Sequence, residues 1–162
     1  MARRYWLMKS EPTSYSIDDL KSGNTTLWDG VRNYQARNLM REMRVGDQAL
    51  FYHSNAEPPA VAGIMEISGL AEPDPTQFDP KDSHYDPKAT PGNPIWYGVR
   101  VKFKKKFARP ISLAEIREHK ALQTMVLLKR SRLSVQPVTE KEFKIISELG
   151  SSNPAAKGST RR

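Results

Sequence analysis

Apolar residues come in short blocks broken by Gly, Pro, Asn and Asp, and the spacing inside each block predicts its element. Arg4 to Lys9 is rich in aromatic and apolar residues and reads as a first strand. After Pro12, Ser16 caps a short helix with Asp18 and Asp19 in its first turn and Gly23 at its close. Thr25 to Trp28 is β-prone, and Asp29-Gly30 signals a turn. From Asn33 the period changes. Ala36, Leu39, Met40 and Met43 form one helical stripe, Gln35, Arg37, Asn38, Arg41 and Glu42 fall on the other faces, and Gly46 stops the helix. Asp47 to Ser54 and Ala60 to Ile67 read as strands on either side of Pro58-Pro59.

Glu72 to Pro94 is a long irregular stretch whose six prolines exclude extended regular structure, with Phe78 and Tyr85 expected to pack it onto the body. Ile95 to Phe107 is the most informative strand. Ile95, Tyr97, Val99, Val101 and Phe103 share a core face, and Trp96, Arg100, Lys102 and Lys104 share the opposite one. Ser112 with Glu115 opens a helix running to about Lys120, and Thr139 with Glu142 opens another ending at Gly150. Met125 to Leu128 is a short apolar run, helix or strand, and Leu133 to Val138 a closing strand. Without a βαβ rhythm, about six mixed strands and three or four short helices predict an α+β fold, its sheet curled toward a barrel. The expected organisation is one domain over residues 1–150 and a disordered basic tail over 151–162, which has no large apolar residue.

Composition narrows the function. A chain of 162 residues buries enough surface to fold without a metal or disulfide. The absence of cysteine removes disulfides, thiolate chemistry and Cys-ligated zinc together. No run approaches the ~18 apolar residues of a membrane span, and residues 1–9 lack a signal-peptide core, so a cytoplasmic chain is expected; a monomer is expected as well. The formal charge of +8 suits a polyanionic partner, and the chain stays basic without Lys157, Arg161 and Arg162.

The strongest candidate chemistry runs from Trp28 to Asn38, an aromatic, a turn and a helix start crowded with amides and guanidinium groups. Helix N-termini offer free N–H groups to anions, Arg32 and Arg37 suit phosphate, and Asn33 and Gln35 suit a base edge. Tyr52-His53-Ser54 ends a strand, where polar and aromatic groups often line clefts. By alternation Trp96 shares a face with cations, which makes it either a stacking platform or a residue covered by the Pro-rich loop. Lys9, Ser10 and Glu11 follow the first strand; a Lys/Glu pair there serves either base recognition or acid–base catalysis, with Tyr52 as a positioning group. Asp79, Asp82, His84 and Asp86 only loosely resemble a hard-metal site and read better as solvated loop residues.

Taken together, Tyr5-Trp-Leu-Met-Lys-Ser-Glu-Pro12, the Trp28–Asn38 run, Phe51-Tyr-His-Ser-Asn55, His84-Tyr-Asp-Pro87 and Ser131-Arg-Leu-Ser-Val-Gln-Pro-Val138 resemble the EVE domain over roughly residues 4–149. The resemblance implies a PUA-like pseudo-barrel related to the YTH readers of methylated adenine. It also implies a non-enzymatic reader holding a single modified base, a modified cytosine or methylated adenine, from single-stranded or flipped DNA or RNA. In YTH relatives a lysine-serine after the first strand and a residue after a Gly-Val pair line the pocket, which corresponds here to Lys9, Ser10 and the Arg32/Asn33 region. The YTH cage tryptophan is replaced by Arg32, so cage walls are expected among Trp28, Tyr34, Tyr52 and Trp96. The expected base pocket is thus Lys9, Ser10, Trp28, Val31, Arg32, Asn33, Tyr34, Tyr52, Ser54 and Trp96. Phosphate contacts are expected from Arg37, Arg100, Lys102, Lys104, Arg130 and Arg132, with no metal and no cofactor. A separate effector nuclease chain and a bacterial cytoplasmic or nucleoid-associated setting complete the expectation. The alternatives are a small ASCH-like hydrolase using Lys9 and Glu11, and an RNA-metabolism adaptor.

Overall fold

The structure is a computed structural model that describes residues 3–151; of the tail expected over 151–162, Ser151 is the last residue of a helix and the rest lies outside the described residues. Seven strands and five helices follow one another as β1 (Tyr5–Ser10), α1 (Ile17–Gly23), β2 (Thr25–Trp28), α2 (Tyr34–Glu42), β3 (Gln48–His53), β4 (Ala60–Ile67), β5 (Glu72–Pro73), β6 (Tyr97–Ser112), α3 (Leu113–Glu118), α4 (Val126–Lys129), β7 (Val135–Val138) and α5 (Glu140–Ser151). The expected α+β class holds. Six strands form the continuous path β2-β6-β4-β3-β1-β7, and the two-residue β5 pairs with β6 off that path. Among the described residues only the β1–β3 contact is parallel.

Local chemistry explains most of the element boundaries. Ser16 and Asp19 make a reciprocal capping box, with Ser16 Oγ accepting from the Asp19 N–H and Asp19 returning to the Ser16 N–H. Thr139 and Glu142 do the same for α5. α2 ends at Glu42, and Gly46 does not stop it: with φ +98° it shapes the turn into β3. Met125 to Leu128 resolves as helix, since α4 takes Val126–Lys129.

Two regions depart from expectation. β6 continues past Phe107 to Ser112, and two register shifts against β4 let it bend while still pairing. The long loop contains β5 and a 3₁₀ turn at Pro75–Phe78, and Tyr85 stays exposed instead of packing down. Buried polar groups, chiefly Asp74 and Gln77, anchor that loop; the Gln77 carboxamide accepts from the Ile95 and Trp96 N–H groups and donates to the Asp74 and Trp96 carbonyls.

Strand alternation sorts the core into two clusters. Trp6, Met8, Phe51, Met65, Val99 and Val101 face α1 and α2 through Ile17, Leu20, Ala36, Met40 and Met43. Leu7, Leu50, Tyr52, Val61, Phe107 and Ile111 face Ile116, Phe143 and Ile146 of α3 and α5. The sheet curls around the first cluster, and this positions the site: β1 and β2 lie four places apart in the strand order, yet Trp28 of β2 packs edge-on against Phe51 of β3 at 5.2 Å. Among the described residues the edge strands β2 and β7 do not pair, so the curl stops short of a closed barrel.

Candidate functional site

A cavity of about 700 Å³ opens where the curl brings the ends of β1 and β2 together, within the roughly 300–1,000 Å³ of small-molecule sites. β1 and the turn after it supply Lys9, Ser10, Glu11, Ser14 and Tyr15; β2 and its turn supply Thr26, Leu27, Trp28, Asp29, Gly30, Val31 and Arg32. His84 of the long loop and Ser134 before β7 complete the wall. The hydrophobic part is set by packing. Trp28 is held by its edge-on contact with Phe51, and Tyr15 stacks on the same phenylalanine at 6.5 Å.

Polar groups around this wall have fixed partners. The Lys9 ammonium donates to the Ser131 carbonyl at 2.6 Å and lies 5.7 Å from the Tyr52 ring centroid; burial lowers its pKa. Ser10 Oγ donates to the Tyr15 carbonyl at 2.7 Å. Burial raises the Tyr15 pKa, outweighing a hydrogen bond with Thr26. The Asp29 carboxyl is pushed up first by burial and then by the negative charge of Asp74. Glu11 is exposed and accepts from Asn55 Nδ2 at 2.8 Å.

The rim is a hydrogen-bonded brace. Gly30 adopts φ +78°, and a Cβ there would sit 3.0 Å from His84 Nε2, so glycine serves both the turn and the close approach of the imidazole. Asp74, fully buried, accepts from the Gly30 N–H at 2.7 Å and Arg32 Nη1 at 3.0 Å through Oδ2. Its Oδ1 accepts from the Thr76 N–H at 2.8 Å and Thr76 Oγ1 at 2.6 Å. Burial pushes the Asp74 pKa up, but these donors outweigh it and hold the carboxyl below its ordinary value. Arg32 also donates through Nε and Nη2 to the His84 carbonyl at 3.0 and 2.7 Å, which ties the long loop across the cavity mouth.

Of the ten expected pocket residues, Lys9, Ser10, Trp28, Val31 and Arg32 line this cavity. The other five do not, each for a physical reason. Asn33 is the N-cap of α2, its side-chain carbonyl accepting from the Ala36 N–H. Tyr34 projects from α2 and is 59% exposed. Tyr52 is buried in the second core cluster because strand alternation turns it away from Phe51. Ser54 is fastened through its N–H to the Ser10 carbonyl. Trp96 is not an exposed platform: it precedes β6, it is 5% exposed beneath the long loop, and Asp86 Oδ2 accepts from its Nε1 at 2.8 Å.

The expected phosphate contacts divide similarly. Arg100 pairs with Glu72, and Lys102 and Lys104 both reach Glu66, so these three are partly neutralised on the sheet. Arg37 donates to the Ile95 carbonyl and Asn38 Oδ1, Arg130 donates to Gln35 Oε1, and Arg132 is exposed. The loop acids close local turns: Asp79, Asp82 and Asp86 accept from the Lys81, His84 and Lys88 N–H groups. Sequence reading missed Tyr15, Thr26 and Asp29 as wall residues. Only Asp29 carried a signal, being the polar residue directly after Trp28.

The curled, mixed α+β sheet matches the EVE/PUA-like fold, and the EVE domain model matches residues 4–149; the chain belongs to the EVE domain family. It is similar to thymocyte nuclear protein 1 of Danio rerio, 49% identical over 168 residues covering 92% of this chain and 73% of the relative. A solved hypothetical protein from Leishmania major superposes with a TM-score of 0.90 at 47% identity, covering 92% of this chain and 95% of that one. The human THYN1 protein, solved in complex with DNA containing 5-methylcytosine, superposes with a TM-score of 0.87 at 46% identity, covering 93% and 99% of the two chains. Among the described residues no helix is long and apolar enough to cross a membrane.

Proposed function

We propose that this chain is a non-enzymatic reader of DNA that takes one 5-methylcytosine, single-stranded or flipped from a duplex, into the cavity between β1 and β2. The observation that carries this reading is the composition of one wall. Trp28, Tyr15, Leu27 and Val31 give an apolar surface for a base and its methyl group, while an ammonium and a carboxylate stand beside it. Cytosine offers an exocyclic amine that donates and ring positions that accept; Asp29 suits the amine and Lys9 the acceptors. The 46% identical human relative bound to 5-methylcytosine DNA supports the choice of ligand.

Lys9 and Glu11 border the same cavity, as a hydrolase would require, but each is engaged elsewhere, Lys9 by the Ser131 carbonyl and Glu11 by Asn55. That arrangement favours binding over proton transfer. A reader of this kind acts where DNA is, in a nucleoid or a nucleus. We take it as one domain over residues 1–150 that acts as a monomer, and any cleavage of the marked DNA would fall to a separate effector chain.

The test is titration of intrinsic tryptophan fluorescence with DNA strands differing at one base: cytosine, 5-methylcytosine, 5-hydroxymethylcytosine, adenine and N6-methyladenine, at two salt concentrations. The expected result is tightest binding to 5-methylcytosine and a fall in affinity with salt from the phosphate contacts. Equal binding of all five strands would sink the reading.

A further inference from the structure

We propose that Tyr34, outside the cavity, is a second contact for the same DNA: a fixed platform on which the base beside the one being read stacks, with Arg37 and Arg41 holding phosphates of that strand. The inference rests on the DNA-reading function above and deepens it.

Three observations carry it. The first is exposure combined with rigidity. Tyr34 keeps 59% of its surface open, yet its ring packs at 4.8 Å and 31° against Trp96 and lies 4.9 Å from the Arg37 guanidinium carbon. Both neighbours are hydrogen-bonded: Asp86 accepts from the Trp96 indole, and the Ile95 carbonyl and Asn38 Oδ1 accept from Arg37. An aromatic ring pinned in place while facing water is already organised to stack on a planar partner.

The second is continuity with the cavity. Arg32, part of the cavity wall, lies 5.4 Å from the Trp96 ring centroid, and Trp96 touches Tyr34. The platform is therefore two ring-contact steps from the wall. Those two contacts span at most about 10 Å, and with an advance of roughly 3.4 Å per nucleotide along a B-form strand that interval is covered within about three nucleotides, so a base flanking the one in the cavity reaches the platform.

The third is charge. Arg37 and Arg41 follow Tyr34 at helical spacings that put them on one face of α2, and Arg41 lies 4.6 Å from the Tyr97 ring centroid. Among the described residues no carboxylate forms an ion pair with either arginine. Arg130 is tied to the start of the same helix through Gln35, which brings a third guanidinium group to α2. An aromatic face among unneutralised guanidinium groups fits a base carried on a phosphate backbone.

The experiment uses the full chain and two ligands: 5-methyl-dCMP alone, and a short single-stranded DNA with one central 5-methylcytosine and its unmethylated counterpart. Tyr34→Ala, whose fold is checked by circular dichroism, should bind the strands at least about five-fold more weakly, the lower end for one base–aromatic stack. Its affinity for 5-methyl-dCMP should stay at the wild-type value, and Tyr34→Phe should restore strand binding. Wild-type strand affinity in Tyr34→Ala overturns the proposal, as does an equal loss toward the mononucleotide, which would put Tyr34 to work in the cavity. Failure of the base-reading function appears separately, as a wild-type protein that binds methylated and unmethylated strands alike.

Discussion

Replacing Asp74 with Asn changes one oxygen of a buried carboxylate into an amide NH₂, which only donates. In the native protein Oδ1 takes two donors from Thr76, and Oδ2 takes the Gly30 N–H and Arg32 Nη1. An asparagine oriented to keep the Thr76 bonds sets its NH₂ against the Gly30 amide and the Arg32 guanidinium, donor facing donor. Removing one partner of a buried ion pair costs about 3–5 kcal/mol. Water reaches the Arg32 side chain, which is 21% exposed, so the lower end of that range, about 3 kcal/mol, is expected. That is a large share of the roughly 5–15 kcal/mol that holds a domain together. In urea the midpoint should fall with an unchanged slope, and the melting temperature should drop by about 6–12 °C, at roughly 2–4 °C per kcal/mol for a chain of this size. The pH dependence has a definite sign. The native Asp74 pKa is held down, so its contribution is present above the ordinary aspartate range and is lost as pH falls through the native value. The gap between wild type and Asp74→Asn should therefore narrow in acid. A loss below about 1 kcal/mol at neutral pH, against the range expected for a broken buried pair, would refute the brace between the long loop and the Gly30 turn.

Three further outcomes test the cavity. Of the three tryptophans, Trp28 alone lines it, so Trp28→Phe should abolish the change in emission induced by 5-methyl-dCMP while Trp96→Phe retains it; the reverse, read by fluorimetry, would put the base elsewhere. Asp29 titrates above the ordinary aspartate value in the free protein, so 5-methylcytosine affinity should weaken as pH falls through that raised value, and calorimetry on Asp29→Asn should find this dependence gone. Gly30→Ala should cost roughly 1–2 kcal/mol for the left-handed backbone and weaken DNA binding further because the added methyl displaces His84, both read from denaturation and titration of one preparation.

The local physics of this chain is legible in its sequence. Capping at Ser16, Ser112 and Thr139, the apolar stripe of α2 and the alternation of Val99 and Val101 are short-range effects, settled by neighbours a few residues away. Lys9, Ser10, Trp28, Val31 and Arg32 were legible too as residues sharing one cavity, since they lie at strand ends and in the turn that follows. What only the tertiary structure decided is who meets whom. Trp96 obeyed no strand alternation because it precedes β6, and its burial depends on a loop anchored by Gln77 and Asp86. Arg32, a phosphate contact by composition, is used up by Asp74, Thr76 and a carbonyl at His84, more than forty residues away. Tyr15 and Thr26 become cavity walls only because the sheet curls until strands four places apart share one space. Spacing along a chain reports the period of its local backbone. The curl of a sheet and the anchoring of a loop are sums of long-range contacts, and no local pattern records them.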